Sequence, residues 1–161
     1  MTLSARQQLL AELREYAETA TSSQRMMQHI CDQLRRLPAY NWVGFYLLDP
    51  AGEFLNLGPF NGANTPHVRI PLDQGICGAA AASGQTVVVD DVHSDPRYLS
   101  CSIETKSEIV APVFVNGKVA GEIDIDSHTP AAFTAEDQAF VEDCAAIAGA
   151  CLQRTGITQT A

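Results

Sequence analysis

The chain has 161 residues, of which 46% are hydrophobic and 18% charged, which is typical of one folded domain and not of a disordered chain. Its net charge of -9 argues against a nucleic-acid partner, which needs clustered Lys and Arg, and against an anionic membrane surface. No stretch approaches the roughly 18 apolar residues of a spanning helix. Met1–Leu13 has no apolar signal core and the five cysteines form no close metal-type pairs, so we expect a reduced, cytoplasmic protein.

Two helices are predicted within residues 1–37. Apolar residues recur there at helical spacing, namely Leu9, Leu10, Leu13 and Tyr16, then Met26, Met27, Ile30, Cys31 and Leu34. The Thr21–Ser23 cluster supplies a break and an N-cap between the two runs, and Pro38 ends the second helix.

The residue pattern changes to that of strands and turns after Pro38. The predicted elements are a hairpin of Asn41–Leu48 and Glu53–Leu57, a loop over Gly58–Pro66, a short strand at His67–Ile70, a small-residue helix over Ala79–Ser83, a strand at Thr86–Asp90 and a long loop over Asp91–Lys106. A loop as long as this last one is usually functional when it belongs to a compact domain.

A second hairpin and a final helix complete the chain. Strands Glu108–Val115 and Lys118–Asp126 are joined at Asn116-Gly117, the strongest two-residue hairpin signal. Thr134 caps a helix over residues 134–153 whose buried stripe contains Phe140, Cys144, Ile147 and Cys151. This order predicts a single α+β domain over residues 1–161, in which residues 41–126 form an antiparallel sheet with a ligand pocket and helices flank it.

The cysteines fall into different environments. Cys31, Cys144 and Cys151 align with apolar helical neighbours, which predicts core positions. Cys77 lies between two glycines at a helix start, where backbone N–H groups and the helix dipole would lower its pKa; alternatively, the turn only needs a small side chain. Cys101 lies in a polar loop, as expected of a reactive thiol, and an incidental surface thiol is the alternative.

Three carboxylates are predicted to converge. Asp124 and Asp126 alternate with isoleucines and so project from one face of a strand, and Glu108 begins the partner strand near the same level. Like charges this close repel, so one of them is expected to have a raised pKa and to donate a proton near neutral pH. The alternative is a solvated polar face. No histidine is placed by spacing to complete a metal site here, so we expect no bound metal.

The chain resembles the free methionine-(R)-sulfoxide reductases, small stand-alone enzymes of the GAF fold, over nearly its whole length. The matching segments are Asn41–Tyr46, Gly58–Gly62, Val68–Pro71, Gly75–Gly78, Asp91–His93, Ser107–Val110, Gly121–Ser127 and Phe133–Asp137. The resemblance implies a GAF fold and thiol-dependent reduction of free L-methionine-(R)-S-oxide to methionine, without a bound cofactor and with a thioredoxin-type electron donor. Because N-terminal helices of GAF proteins often pair and Met26-Met27 offers adaptable apolar surface, we also expect a homodimer.

The resemblance also implies roles for individual residues. Cys101 matches the catalytic nucleophile, and Cys77 matches a second cysteine that lines the pocket. The family's substrate-binding positions fall on Trp42, Tyr46, Glu108, Asp124 and Asp126. The carboxylates of this set hold the sulfoxide and amino groups of the substrate, and the two aromatic rings form a wall around its methyl-bearing sulfur.

The chain departs from the family pattern at two places. His67 replaces the resolving cysteine that precedes Val68 in three-thiol members, and the segment Pro96–Ser102 around Cys101 also differs. Either Cys77 or an external thiol then resolves a sulfenic acid at Cys101, or the redox cycle is altered. His67 would favour the Cys101 thiolate if it lay close, whereas a lone histidine is more often a strand residue facing solvent. A non-catalytic sensor of an amino-acid-like ligand and a module used only for dimerisation stay open as alternatives.

Overall fold

The structure is a computed structural model that describes residues 3–100 and 102–156. Within these residues the helices are α1 (Ala5–Thr19), α2 (Ser23–Leu34), α3 (Gly75–Ser83) and α4 (Ala135–Thr155). The strands are β1 (Trp42–Leu48), β2 (Phe54–Asn61), β3 (Arg69–Pro71), β4 (Val87–Val89), β5 (Ser107–Val115) and β6 (Lys118–Ser127). No helix in this part of the chain is both long and apolar enough to cross a membrane.

The strands form one antiparallel sheet in the order β3-β2-β1-β6-β5-β4, which confirms the predicted α+β fold. The β5–β6 hairpin turns at Asn116-Gly117, whose φ angles of 53° and 76° are those that a tight primed turn requires. The register places Glu108 directly opposite Asp126, so the predicted levels of these two carboxylates are confirmed. On the other side of β6, Trp42 of β1 is also opposite Asp126.

Helices α1, α2 and α4 cover one face of the sheet and enclose the main hydrophobic core. Cys31, Cys144 and Cys151 are at most 1% exposed in this core, as their helical spacing predicts. Met26 and Met27 are also buried, at 0% and 2% exposure. The expectation that these methionines offer surface for a dimer is therefore wrong, because the strong amphipathic pattern of α2 turns them toward the sheet.

A buried carboxylate ties the start of α4 to the rest of this core. Asp137 Oδ1 accepts hydrogen bonds from the Tyr40 hydroxyl and from Arg6 Nη2, each at 2.6 Å. Asp137 Oδ2 accepts from the backbone N–H of Thr134, while Thr134 Oγ1 accepts from the N–H of Asp137, so the two residues form a capping box. One side chain thus links α1, the segment before β1 and α4.

The opposite face of the sheet carries α3 and the long loop before β5. A Cβ atom on Gly78 would lie 2.7 Å from the Leu72 carbonyl oxygen, so only glycine lets α3 lie this close to the preceding chain. Gly84 ends α3 in the left-handed conformation, at φ 67°. The close approach of α3 brings its first turn over β5 and β6.

The segment Gly58–Asn61 is strand and not loop, which corrects the prediction made from its Gly, Pro and Asn content. Strand β2 pairs with β1 along this segment, whereas β3 pairs only with the first residues of β2, from Phe54 to Asn56. Pro59 therefore lies where β2 pairs with β1 alone. Because no strand pairs with β2 on its other side there, the missing N–H of Pro59 removes no hydrogen bond on that side.

Candidate active site

A cavity between the sheet and α3 brings together every described residue of the predicted site. Its lining includes Trp42, Tyr46, Cys77, Glu108, Asp124 and Asp126. Cys101, the predicted nucleophile, lies outside the described residues. The cavity volume is about 30 Å³.

The carboxyl groups of Glu108, Asp124 and Asp126 form the acidic side of the cavity, and each residue is 5% exposed. Burial, followed by the charges of Asp124 and Asp126, raises the pKa of Glu108 well above its ordinary value. Burial also raises the pKa of Asp124, although hydrogen bonds with Glu108 and Cys77 and the charge of His67 act in the opposite direction. A raised pKa in this row was expected, and the alternative of a solvated polar face is wrong.

Cys77 is the third residue of α3 and is 6% exposed. Burial, together with the charges of Asp124, Glu122 and Glu108, raises the pKa of its thiol well above the ordinary value. The expected lowering by the helix N-terminus is therefore wrong. Burial away from water and the three nearby carboxyl groups raise the pKa of this thiol by more than the partial positive charge at the start of a nine-residue helix lowers it.

Glu122 is a fourth buried carboxyl group, which the sequence analysis did not single out. It is 0% exposed, and it lies beside Cys77 with a pKa that burial raises well above its ordinary value. The signal was present in the sequence, because Glu122 begins the same alternation that continues through Asp124 and Asp126.

Two aromatic rings form another side of the cavity, as the family resemblance implies. Trp42 donates a hydrogen bond from Nε1 to the Ala63 carbonyl oxygen at 2.9 Å, and its ring stacks on Phe60. The Tyr46 hydroxyl donates to the His67 carbonyl oxygen at 2.7 Å. Both rings are thus fixed by the chain that connects β2 to β3.

His67 lines the cavity and is half-buried, so the expectation of a strand residue facing solvent is wrong. It precedes β3, and its Nε2 lies 3.1 Å from the Ser100 carbonyl oxygen. Two hydrogen bonds hold its backbone, one from its N–H to Thr65 Oγ1 and one from Tyr46 to its carbonyl oxygen. His67 therefore joins the pocket to the loop segment that precedes Cys101.

Comparison with known proteins identifies the class. The GAF domain matches residues 22–152, and the chain belongs to the GAF domain family. Among solved structures it is similar to the free methionine-R-sulfoxide reductase of Neisseria meningitidis, solved with its substrate, with a TM-score of 0.89, 31% identity and coverage of 96% of this chain and 95% of that one.

Two curated relatives carry the same enzyme name. The free methionine-R-sulfoxide reductase of Escherichia coli is 43% identical over 103 residues, and that of Saccharomyces cerevisiae is 42% identical over 107 residues. These matches cover 64% and 65% of this chain. They span about three-fifths of each relative, 61% of the bacterial and 59% of the yeast protein.

Proposed function

We propose that this protein reduces free L-methionine-(R)-S-oxide to methionine and that thiols supply the electrons. The observation that carries the proposal is the cavity itself, where three buried carboxyl groups, two fixed aromatic rings and a thiol face one another. The resemblance to enzymes named for this reaction supports the same assignment.

The lining of the cavity fits the parts of this substrate. A carboxylate of the acidic row would bind the ammonium group, a charge that exists on the free amino acid and is lost when methionine lies within a peptide. Trp42 and Tyr46 would contact the methyl group and the positively polarised sulfur. Because the buried carboxyl groups would pair with the ammonium group that only the free amino acid carries, we expect free methionine sulfoxide to be the substrate.

The reaction transfers one oxygen atom and two electrons. The thiolate of Cys101 attacks the sulfoxide sulfur while a protonated carboxyl group donates its proton to the sulfoxide oxygen. Glu108 is the best donor because burial and the neighbouring carboxyl groups raise its pKa well above the ordinary value, which favours its protonated form. Methionine leaves with its sulfur reduced, and Cys101 keeps the oxygen as a sulfenic acid. No bound cofactor is needed for this step.

A second thiol then condenses with the sulfenic acid to form a disulfide and water. Cys77 or an external thiol could fill this role. The raised pKa of Cys77 makes its thiol a weak nucleophile in the free protein, which leaves the external thiol as a real competitor. A thioredoxin-type dithiol would finally reduce the disulfide and restore Cys101.

The activity test compares free and peptide-bound methionine sulfoxide as substrates in the presence of dithiothreitol. We expect turnover of the free (R)-sulfoxide alone, its loss in Cys101→Ser, and parental activity per folded molecule in Cys31→Ala, which changes a core thiol far from the cavity. An unreduced substrate, or a Cys101→Ser variant as active as its parent, would overturn the proposal. Tight binding of the amino acid without thiol consumption would point to the sensor alternative.

Mass spectrometry after one turnover without reductant identifies the resolving thiol. A disulfide between Cys77 and Cys101 in the parent, absent from Cys77→Ser, assigns the role to Cys77. A sulfenic acid that persists in the parent and is removed by added thioredoxin assigns it to an external thiol.

A cytoplasmic location and a homodimer belong to the same proposal. The reducing cytoplasm would keep the free thiols and supply the dithiol donor. Since Met26 and Met27 are buried, the support for a dimer is reduced to the helix pairing common in GAF proteins. Light scattering at several protein concentrations would separate a monomer from a dimer.

A further inference from the structure

Three potential metal ligands meet in the cavity from three different elements. One ligand atom each of Cys77 on α3, Glu108 on β5 and Asp124 on β6 lie within 4.8 Å of one another. All three residues are buried, with exposures of 5–6%. Thiolate and carboxylate are ligands of Zn²⁺, with bonds of about 2.3 Å to sulfur and 2.0–2.2 Å to oxygen. Small side-chain movements would let one ion contact all three atoms.

Glu122, a buried carboxyl group beside Cys77, provides a second observation. It is completely buried, and neither of its carboxyl oxygens has a nitrogen or oxygen partner in the described part of the chain. Its polar neighbour is the Cys77 thiol. Asp124 Oδ1 is likewise buried without a hydrogen-bond partner among the described residues. Buried carboxyl oxygens without partners are costly, and a cation beside them relieves that cost.

The surroundings of the three ligands suit a small ion. The three ligands line one cavity of about 30 Å³. His67 lines the same cavity, although its spacing in the sequence gave no reason to expect a fourth ligand there. Asp126 also faces the cavity, so the charged groups around the ion would be mostly anionic.

We propose that this cavity binds a divalent ion of the zinc class through Cys77, Glu108 and Asp124, and that the ion competes with the substrate. A fourth position is left for His67 or water. On binding, the Cys77 thiol and the Glu108 carboxyl group release their protons to solvent, and the ion bonds to one sulfur and to carboxylate oxygens. The ion is an inhibitor and not a cofactor, because it takes the carboxyl groups that the substrate would use. The competition rests on the proposed function, whereas the binding itself does not.

Titration of the metal-free protein with Co²⁺ tests the binding. Thiolate ligation to Co²⁺ gives a charge-transfer band in the near ultraviolet, which carboxylate ligation alone does not give. We expect one equivalent of Co²⁺ to produce this band, Cys77→Ser to abolish it, and Asp124→Asn to weaken binding at least tenfold. Cys31→Ala and Cys101→Ser should retain the band.

The outcomes separate the two proposals. A folded parent without the band, or a band that survives Cys77→Ser but disappears in Cys101→Ser, would overturn the metal site. Circular dichroism checks the folding of each variant, and Asp124→Asn decides the question if Cys77→Ser does not fold. Free methionine sulfoxide should discharge the band; if it leaves the band intact in an active enzyme, the competition is wrong. A band in a protein that reduces no sulfoxide leaves the metal site standing and removes the proposed function.

Discussion

Replacement of Asp137 by alanine tests whether one carboxylate holds the helices onto the sheet. The change leaves the buried Tyr40 hydroxyl without an acceptor, whereas water can replace the lost acceptor of the Thr134 N–H because Thr134 is exposed. A buried donor without an acceptor costs about 1–3 kcal/mol. The pair with Arg6 adds little, because the Arg6 side chain is 39% exposed and water screens the interaction. We therefore expect a loss of about 1–3 kcal/mol in the free energy of unfolding.

Urea and thermal denaturation measure this loss. For a chain of this size about 1 kcal/mol shifts Tm by 2–4 °C, so Asp137→Ala should lower Tm by roughly 2–12 °C. The matched control is Asp143→Ala, an exposed carboxylate on the same helix, which should shift Tm by no more than a degree or two. Equal stability of Asp137→Ala and the parent near neutral pH would refute the reasoning.

The same carboxylate predicts a pH dependence of stability. Burial alone would raise the pKa of Asp137, but hydrogen bonds from Tyr40, Thr134 and Arg6 hold it below its ordinary value. A group with a lowered pKa in the folded state stabilises fully above its unfolded pKa of about 4 and loses that effect as the pH falls through the folded value. The stability difference between the parent and Asp137→Ala should therefore shrink below about pH 4.

Two further predictions concern the cavity. Glu108→Gln should lower kcat by roughly 10²–10⁴-fold in steady-state assays, with a smaller change in KM, because the amide cannot supply a proton. The control is Glu53→Gln, which changes an exposed carboxylate at the first hairpin turn and should keep the parental activity. Gly78→Ala should destabilise the protein by about 1–3 kcal/mol in urea denaturation, because the new Cβ would lie 2.7 Å from the Leu72 carbonyl oxygen. The control, Ala82→Ser on the exposed side of α3, should change the free energy of unfolding little. An unchanged kcat or an unchanged denaturation midpoint would contradict the respective prediction.

The elements with strong local signals are those that the sequence predicts correctly. The Asn116-Gly117 turn pairs Val115 with Lys118, and a bulge between Val113 and Phe114 then shifts the register by one residue, so that Glu108 lies opposite Asp126. The Thr134 cap and the apolar stripe of α4 are local features. Alternation along β6 puts Asp124 and Asp126 on one face, whereas Glu108 joins that face only because of the bulge, which the sequence does not signal.

The features that the sequence misjudges depend on contacts between distant segments. The pKa of Cys77 is raised by carboxyl groups on β5 and β6, which no inspection of the Gly-Ile-Cys-Gly turn can reveal. His67 enters the cavity because Tyr46 holds its carbonyl oxygen, a contact across the sheet. Pro59 is tolerated in β2 because β3 is too short to pair beside it. In each case tertiary structure overrides a sound local expectation.

The row of Glu122, Asp124 and Asp126 has a consequence for the evolution of this fold. The row lies on β6, between β1 and β5 in the sheet, where backbone hydrogen bonds are among the last to open. Buried carboxyl groups weaken such a layer, and apolar side chains of similar size would strengthen it. Selection for heat resistance alone should therefore replace these acids first and yield a more stable protein without its acidic cavity. Three of the four buried carboxyl groups near the cavity thus lie on one strand.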